Sequence, residues 1–194
     1  MYGLLLGIML AAGIQAQSRD CEVMVATRVG LILPSGMLPD AIRQAVAMFR
    51  DIGIRLKFVG AAAPKSLHAC AIPIVVQIQA FDNHPVPADS LAYALPYQQS
   101  GTAIHVFADR VLRNPNRAFS RTLLAHIMVH EITHVLQRVS RHSESGIMKA
   151  QWSAADYQRM EHTPLPFTPE DVLLIRQGLA TRAHIAIPAP PMGQ

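Results

Sequence analysis

The chain has little charge, few aromatic residues and no apolar run long enough to span a bilayer. Charged residues make up 15% of its 194 residues and aromatic residues 6%, whereas hydrophobic residues make up 51%. A chain this apolar can bury a core, so disorder throughout is excluded. Its 17 lysines and arginines are scattered, and the formal net charge is only +4, so no nucleic-acid partner is expected. The length allows one domain.

The longest apolar run, Leu4 to Ile14, is shorter than the roughly 18–20 residues that a transmembrane helix needs. Polar residues follow it after the small residue Ala16. This pattern predicts a signal peptide over residues 1–16 and a secreted or periplasmic protein with no membrane span in the mature chain. A buried N-terminal strand or helix is the alternative. We expect one domain over residues 17–186 and a proline-rich tail over residues 187–194.

Cysteine is scarce. Cys21 and Cys70 lie 49 positions apart and permit one internal pairing. In an exported protein a disulfide between them is expected, and it would stabilise the fold by roughly 4 kcal/mol on the chain-entropy model. Two buried free thiols are the alternative.

Strand-like and helical patterns alternate along the chain. Apolar alternation or β-branched runs predict five strands, at 22–27, 54–59, 72–78, 91–95 and 102–107. Helical spacing predicts a helix over 39–51, which Gly53 stops, and a long helix over 117–139 that begins after Asn114-Pro115-Asn116. Ser153 and Thr168 are typical N-caps of later helices. The order β-α-β-β-β-β-α-α predicts a mixed sheet flanked by helices, with 91–95 as an edge strand.

The chemistry is concentrated in His130-Glu131-Ile132-Thr133-His134, an H-E-x-x-H motif inside the long helix. Residues four apart lie about 40° apart around a helix, so both imidazoles can bind one zinc ion. Glu131 lies beside that face. Zinc lowers the pKa of a bound water from about 15.7 towards 7, and a nearby carboxylate can then take its proton. The alternative is an ordinary helix with solvated side chains.

A catalytic zinc needs a third protein ligand and an open fourth position. His142 is the best candidate, because the seven residues after His134 let the helix end and the chain turn back. Glu161 is the rival, since another zinc-site arrangement takes a carboxylate from a later helix. His126 lies one turn before His130 and is expected to pack rather than to bind metal.

The segment HEITHVLQRVSRHSESGIMKAQWS resembles the metzincin-type zinc metallopeptidases, in which a third histidine follows the helix and a methionine turn lies beneath the metal. It is more similar to a group of small exported bacterial proteins with H-E-x-x-H-x7-H-S-x-x-G-I-M. The resemblance implies a zincin-like α+β fold: a mixed, mostly parallel sheet with an edge strand, an active-site helix, and a smaller C-terminal helical part after the methionine turn.

By position, the resemblance makes His130, His134 and His142 the zinc ligands, Glu131 the general base and Met148 the floor of the metal site. Residues 149–151 would line the pocket. The common metzincin spacing leaves five residues before the third histidine and includes a glycine, whereas seven intervene here and none is glycine. The turn is therefore expected to place Gln137, Arg138 or Arg141 in the left-handed conformation.

The resulting prediction is an exported zinc metalloendopeptidase with one Zn²⁺ per chain, which hydrolyses peptide bonds by a zinc-bound water that Glu131 activates. The substrate is a peptide or protein, and it would pair with the edge strand at 91–95. Tyr157 is a candidate donor to the oxyanion or a packing residue, and Trp152 is expected to pack in the core. The alternative is a zincin-fold protein that binds zinc or a partner without turnover. The sequence leaves the oligomeric state open.

Overall fold

The computed structural model describes residues 22–60, 74–80, 86–87, 89–95 and 102–185. Its elements follow one another as β1 (Val23–Val29), α1 (Met37–Asp51), β2 (Leu56–Val59), β3 (Ile74–Gln79), β4 (Ala92–Leu95), β5 (Thr102–Phe107), α2 (Ala108–Val111), α3 (Arg117–Gln137), α4 (Ala154–Met160) and α5 (Pro169–Ile185). The predicted leader, Cys21, Cys70 and the proline-rich tail lie outside the described residues, so the leader and the disulfide stay predictions.

The five strands form one sheet in the order β2-β1-β3-β5-β4. All neighbours are parallel except β4, which pairs antiparallel with β5 and forms an edge, as the sequence predicts. The mixed, mostly parallel sheet is therefore confirmed. The four-residue helix α2 was not predicted, whereas α4 and α5 begin directly after the predicted N-caps Ser153 and Thr168.

One face of the sheet builds the core. Ile74, Val76 and Ile78 alternate along β3 and are at most 1% exposed, because strand side chains point to opposite faces with a period of two. They pack with the apolar stripe of α1 and with α3, which lies against α1. α1 ends at Asp51, as predicted, and Gly53, two residues later, has a φ of 78°.

Helix α3 runs through the core. Its N-cap Asn116 accepts hydrogen bonds from the backbone N–H groups of Ala118 and Phe119, which satisfies two donors that the first turn leaves free. Every residue from Leu123 to Gln137 is buried. No helix within the described ranges is long and apolar enough to cross a bilayer.

Candidate metal centre

His130 and His134 face each other one turn apart on α3, with their Nε2 atoms 3.0 Å apart. The Nδ1 atom of His130 donates to the carbonyl of Ile147 at 2.9 Å, and that of His134 points at the carbonyl of Val139 at 3.4 Å. A carbonyl only accepts, so each ring carries its proton on Nδ1 and presents an Nε2 lone pair to the other ring.

His142 completes a cluster with these two rings. The ligand nitrogens of His130, His134 and His142 all lie within 4.8 Å of one another. The chain turns back after α3 through Arg138, whose φ of 59° is the only positive value for a residue other than glycine in the described part of the chain. The sequence predicted a left-handed residue here, and Arg138 confirms it.

The three imidazoles fit a zinc ion. Zinc binds histidine nitrogen at about 2.0–2.1 Å in tetrahedral geometry, which places ligand nitrogens roughly 3.3 Å apart. Two unprotonated nitrogens at 3.0 Å repel each other unless a cation or proton lies between them. Burial first, and then the neighbouring imidazoles, lower the pKa of His130 to about 3 and that of His134 to about 4. Both rings are therefore neutral at neutral pH, the form that binds metal.

Glu131 lines the same cleft as the three histidines, and it is 8% exposed. Burial raises the pKa of its carboxyl to about 8. A divalent cation on the adjacent imidazoles favours the ionised form of this carboxyl, because it supplies the opposite charge that the buried site lacks.

The cleft has a volume of about 800 Å³. The segment around β4 lines one side, including Ser90, Leu91 and Tyr93, and residues 149–152 line another, as the resemblance implies for 149–151. The cleft therefore lies between the edge strand β4 and residues 149–152, which follow the methionine turn.

The methionine turn meets the cluster through its backbone. The Ile147 carbonyl accepts from His130, and the Met148 carbonyl accepts from the backbone N–H of Ser143 at 2.7 Å, next to His142. Met148 itself is fully buried in the hydrophobic core. Gly146 has a φ of 75° at the tightest point of the turn.

Trp152 is half-buried: it packs against the hydrophobic core, as expected, and it also lines the cleft. Its ring stands edge-on to that of His130, with the centroids 5.7 Å apart, and its Nε1 donates to the Ile147 carbonyl at 3.2 Å. Trp152 and His130 therefore bond the same Ile147 carbonyl, so Trp152 helps to hold the His130 ring in place. Tyr157 also lines the cleft and packs edge-on against Trp152, so its predicted packing role is confirmed and its role toward the oxyanion stays a prediction.

The other two candidates lie apart from the cluster. Glu161 is the exposed C-cap of α4 and is not among the residues whose ligand atoms converge. His126 is buried, and both of its nitrogens are used: Nδ1 donates to the Thr122 carbonyl and Nε2 accepts from the Leu165 N–H. It packs, as expected.

Asp171 is the residue near the site whose role the sequence did not indicate. Its carboxylate is fully buried and accepts from Ser143 at 2.7 Å and from Arg141 at 3.0 Å, on either side of His142. Thr168-Pro169-Glu170-Asp171 is recognisable in the sequence as a helix start, but nothing local to it points to His142.

No protein-family model matches the chain, and no curated protein matches its sequence. Among solved structures, the chain is similar to the crystal structure of archaemetzincin from Methanopyrus kandleri, with a TM-score of 0.57 over 86% of this chain and 99% of that one. Their sequence identity is 13%, so the likeness concerns the fold alone. The protein therefore has the zincin-like α+β fold that the H-E-x-x-H segment led us to expect.

Proposed function

We propose that the protein is an exported zinc metallopeptidase. The observation that carries this proposal is the convergence of three imidazoles beside the carboxylate of Glu131, in a cleft that an edge strand borders. A site that only held zinc for structure would enclose the metal with four protein ligands. Here three side chains converge, and an acid lies next to them. Export rests on the sequence of residues 1–16.

His130, His134 and His142 would hold the zinc, which when bound acts as a Lewis acid toward the peptide carbonyl and acidifies water. Glu131 takes a proton from the attacking water and passes it to the leaving amine. Its burial suits this exchange, because a carboxyl with a raised pKa both accepts and returns a proton near neutral pH.

Strand β4 supports a peptide as the substrate. β4 is an edge of the sheet, and residues along and just before it line the cleft. An extended peptide can add to such an edge through backbone hydrogen bonds, which hold it without regard to most of its side chains. The substrate would then lie between β4 and residues 149–152, with its backbone beside Glu131.

Glu131→Gln tests the catalytic step. We expect it to bind zinc as the wild type does and to hydrolyse a peptide library at least 100-fold more slowly, because it removes the proton acceptor and leaves the ligands in place. Zinc per chain is measured by atomic emission and cleavage by mass spectrometry. The control is Glu161→Gln, which alters an exposed acid outside the cluster.

Undiminished cleavage by the Glu131→Gln protein would contradict the mechanism. A wild type that binds one zinc and cleaves nothing in the library would favour the alternative, a zinc-binding protein of the same fold without turnover. Absence of zinc from the folded wild type would overturn the proposal.

A further inference from the structure

We propose that Asp171 is the positioning residue of the third candidate ligand: one oxygen of its carboxylate holds the start of α5, and the other holds the loop that carries His142. The inference rests on the proposed function in one respect, that the three histidines bind the metal. It adds a specific contribution from the C-terminal helix, more than thirty positions after the H-E-x-x-H motif.

The two oxygens of Asp171 have separate partners. Oδ2 accepts from the backbone N–H of Thr168 at 2.9 Å and from its hydroxyl at 2.7 Å, while the Thr168 hydroxyl accepts from the Asp171 N–H. This is a capping box. Oδ1 points the other way and accepts from the Ser143 hydroxyl at 2.7 Å and the Arg141 guanidinium at 3.0 Å, and at 3.5 Å from the Gln137 amide at the end of α3. The cap of α5 does not need the hydrogen bonds that Oδ1 accepts.

The loop after α3 has few other contacts that fix it: the Ser143 N–H donates to the Met148 carbonyl, and Arg141 also pairs with Glu170. His142 is exposed, and its ring contacts the rings of His130 and His134. The loop begins with Arg138 in a left-handed conformation, which costs a residue with a Cβ roughly 1–2 kcal/mol. Residues on both sides of His142 donate to the same carboxylate oxygen. With Arg141 and Ser143 both held, the backbone between them has little freedom, and the His142 ring is aimed at the other two.

Burial of the Asp171 carboxylate makes its hydrogen bonds to the loop hard to break. Asp171 is 0% exposed, and an unpartnered carboxylate at such a position would be strongly destabilising. Burial raises the pKa of this carboxyl, but hydrogen bonds from Ser143, Thr168 and Arg141 outweigh it and hold the pKa below its usual range. The carboxylate therefore stays charged, and its bonds to the loop are the stronger, charge-assisted kind.

A matched pair of variants separates this role from helix capping. Asp156 occupies the same capping-box position at the start of α4, where it bonds Ser153 and also pairs with Lys149, which lines the cleft but is not one of the three converging histidines. Among the hydrogen bonds of the described residues, Asp156 makes none to the loop that carries His142. Asp171→Asn and Asp156→Asn therefore remove the charge from equivalent caps, and the first also weakens the tie to Arg141 and Ser143. We expect Asp171→Asn to weaken zinc binding roughly 10–100-fold and Asp156→Asn to leave it within threefold of the wild type.

Zinc affinity is measured on the full-length protein by competition with a chromophoric chelator. Cobalt substitution supplies a second readout, since the visible bands of Co²⁺ report the geometry of its ligands. The Asp171→Asn spectrum should change and the Asp156→Asn spectrum should not. Equal zinc affinity and equal cobalt spectra in the two variants would overturn the inference and leave the proposed function standing, whereas a wild type without zinc would overturn both.

Ser143→Ala keeps the test decisive if Asp171→Asn does not fold. It deletes one hydrogen bond to Oδ1 and leaves the capping box intact. We expect a threefold to tenfold weaker zinc affinity, the change that corresponds to one hydrogen bond. Affinity equal to that of the wild type would show that the bond from Ser143 to Oδ1 does not position His142, which contradicts the inference.

Discussion

The two nitrogens of each histidine on α3 explain which rings can bind a metal. His130 gives its Nδ1 proton to a backbone carbonyl and keeps Nε2 for a ligand bond. His126 lies on the same helix one turn earlier, but the Leu165 N–H already occupies its Nε2. Side-chain spacing makes the two residues equivalent, and only the partners of Nε2 separate a ligand from a packing residue.

His126→Gln should make stability less dependent on pH. Burial lowers the pKa of His126 below 6.5, so below that pH the unfolded chain binds a proton that the folded protein excludes. The free energy of unfolding of the wild type therefore falls as pH drops from 7 to 5, and the variant should show a shallower decline. We also expect a loss of about 1–3 kcal/mol at pH 8, because the Thr122 carbonyl loses its donor.

The measurement is urea unfolding of the wild type and the variant at several pH values, because contributions common to both proteins, including those of His130 and His134, cancel in the difference between their slopes. His162→Gln, which alters an exposed histidine, controls for the loss of one imidazole. An unchanged slope in His126→Gln would contradict a buried, neutral His126.

Among the elements, the methionine turn has the strictest backbone requirement. Gly146 has a φ of 75°, and a Cβ added to it would lie 2.2 Å from the carbonyl oxygen of Pro166. The following N–H, that of Ile147, donates to the same oxygen at 2.9 Å. The turn therefore packs directly against the chain before α5 while its Ile147 carbonyl holds His130.

Gly146→Ala should lower the free energy of unfolding by about 3 kcal/mol or more, from left-handed strain and a backbone clash together. Gly36→Ala isolates the first of these effects, because Gly36 has a φ of 72° but only ordinary contacts around its added Cβ. We expect Gly36→Ala to lower the free energy of unfolding by about 1 kcal/mol. Urea unfolding compares the two, and equal losses would show that Pro166 moves aside easily.

At the scale of the whole molecule, α5 packs on α3 and joins the C-terminal part of the chain to the site. Gly178 allows the close approach, since a Cβ there would lie 1.9 Å from the Leu136 carbonyl oxygen near the end of α3. Arg182, also on α5, donates to the Val135 carbonyl. These contacts place the start of α5, and with it Asp171, beside the loop that follows α3.

Gly178→Ala should therefore destabilise the protein by roughly 2 kcal/mol or more, because α5 must move away from α3. Gly30→Ala is the control: its added Cβ would meet the Ile78 carbonyl oxygen at 3.7 Å, an ordinary contact. Thermal unfolding followed by circular dichroism compares the two. A Gly178→Ala protein as stable as the control would mean that α5 is not seated on α3 as described.

Much of the fold can be predicted from the sequence because the patterns that indicate its helices and strands are local. Strand β5 has the bounds that its apolar pattern predicts, and α1 starts two residues before its predicted start and ends at Asp51, as predicted. Helix α2 was missed because four residues are too few to show a helical period. The residue type of Trp152 predicted its packing against the core, but not its contact with His130 at the cleft.

The sequence by itself determined the order of the strands and of the longer helices, the shared face of His130 and His134, and the need for a left-handed residue after α3. Each of these follows from periodicity or spacing within a few residues. Only the tertiary structure decided which atoms hold the candidate ligands. Ile147 bonds His130 across 17 positions, and Asp171 bonds Ser143 across 28. No local pattern encodes such partners, because folding alone brings these segments within hydrogen-bonding distance.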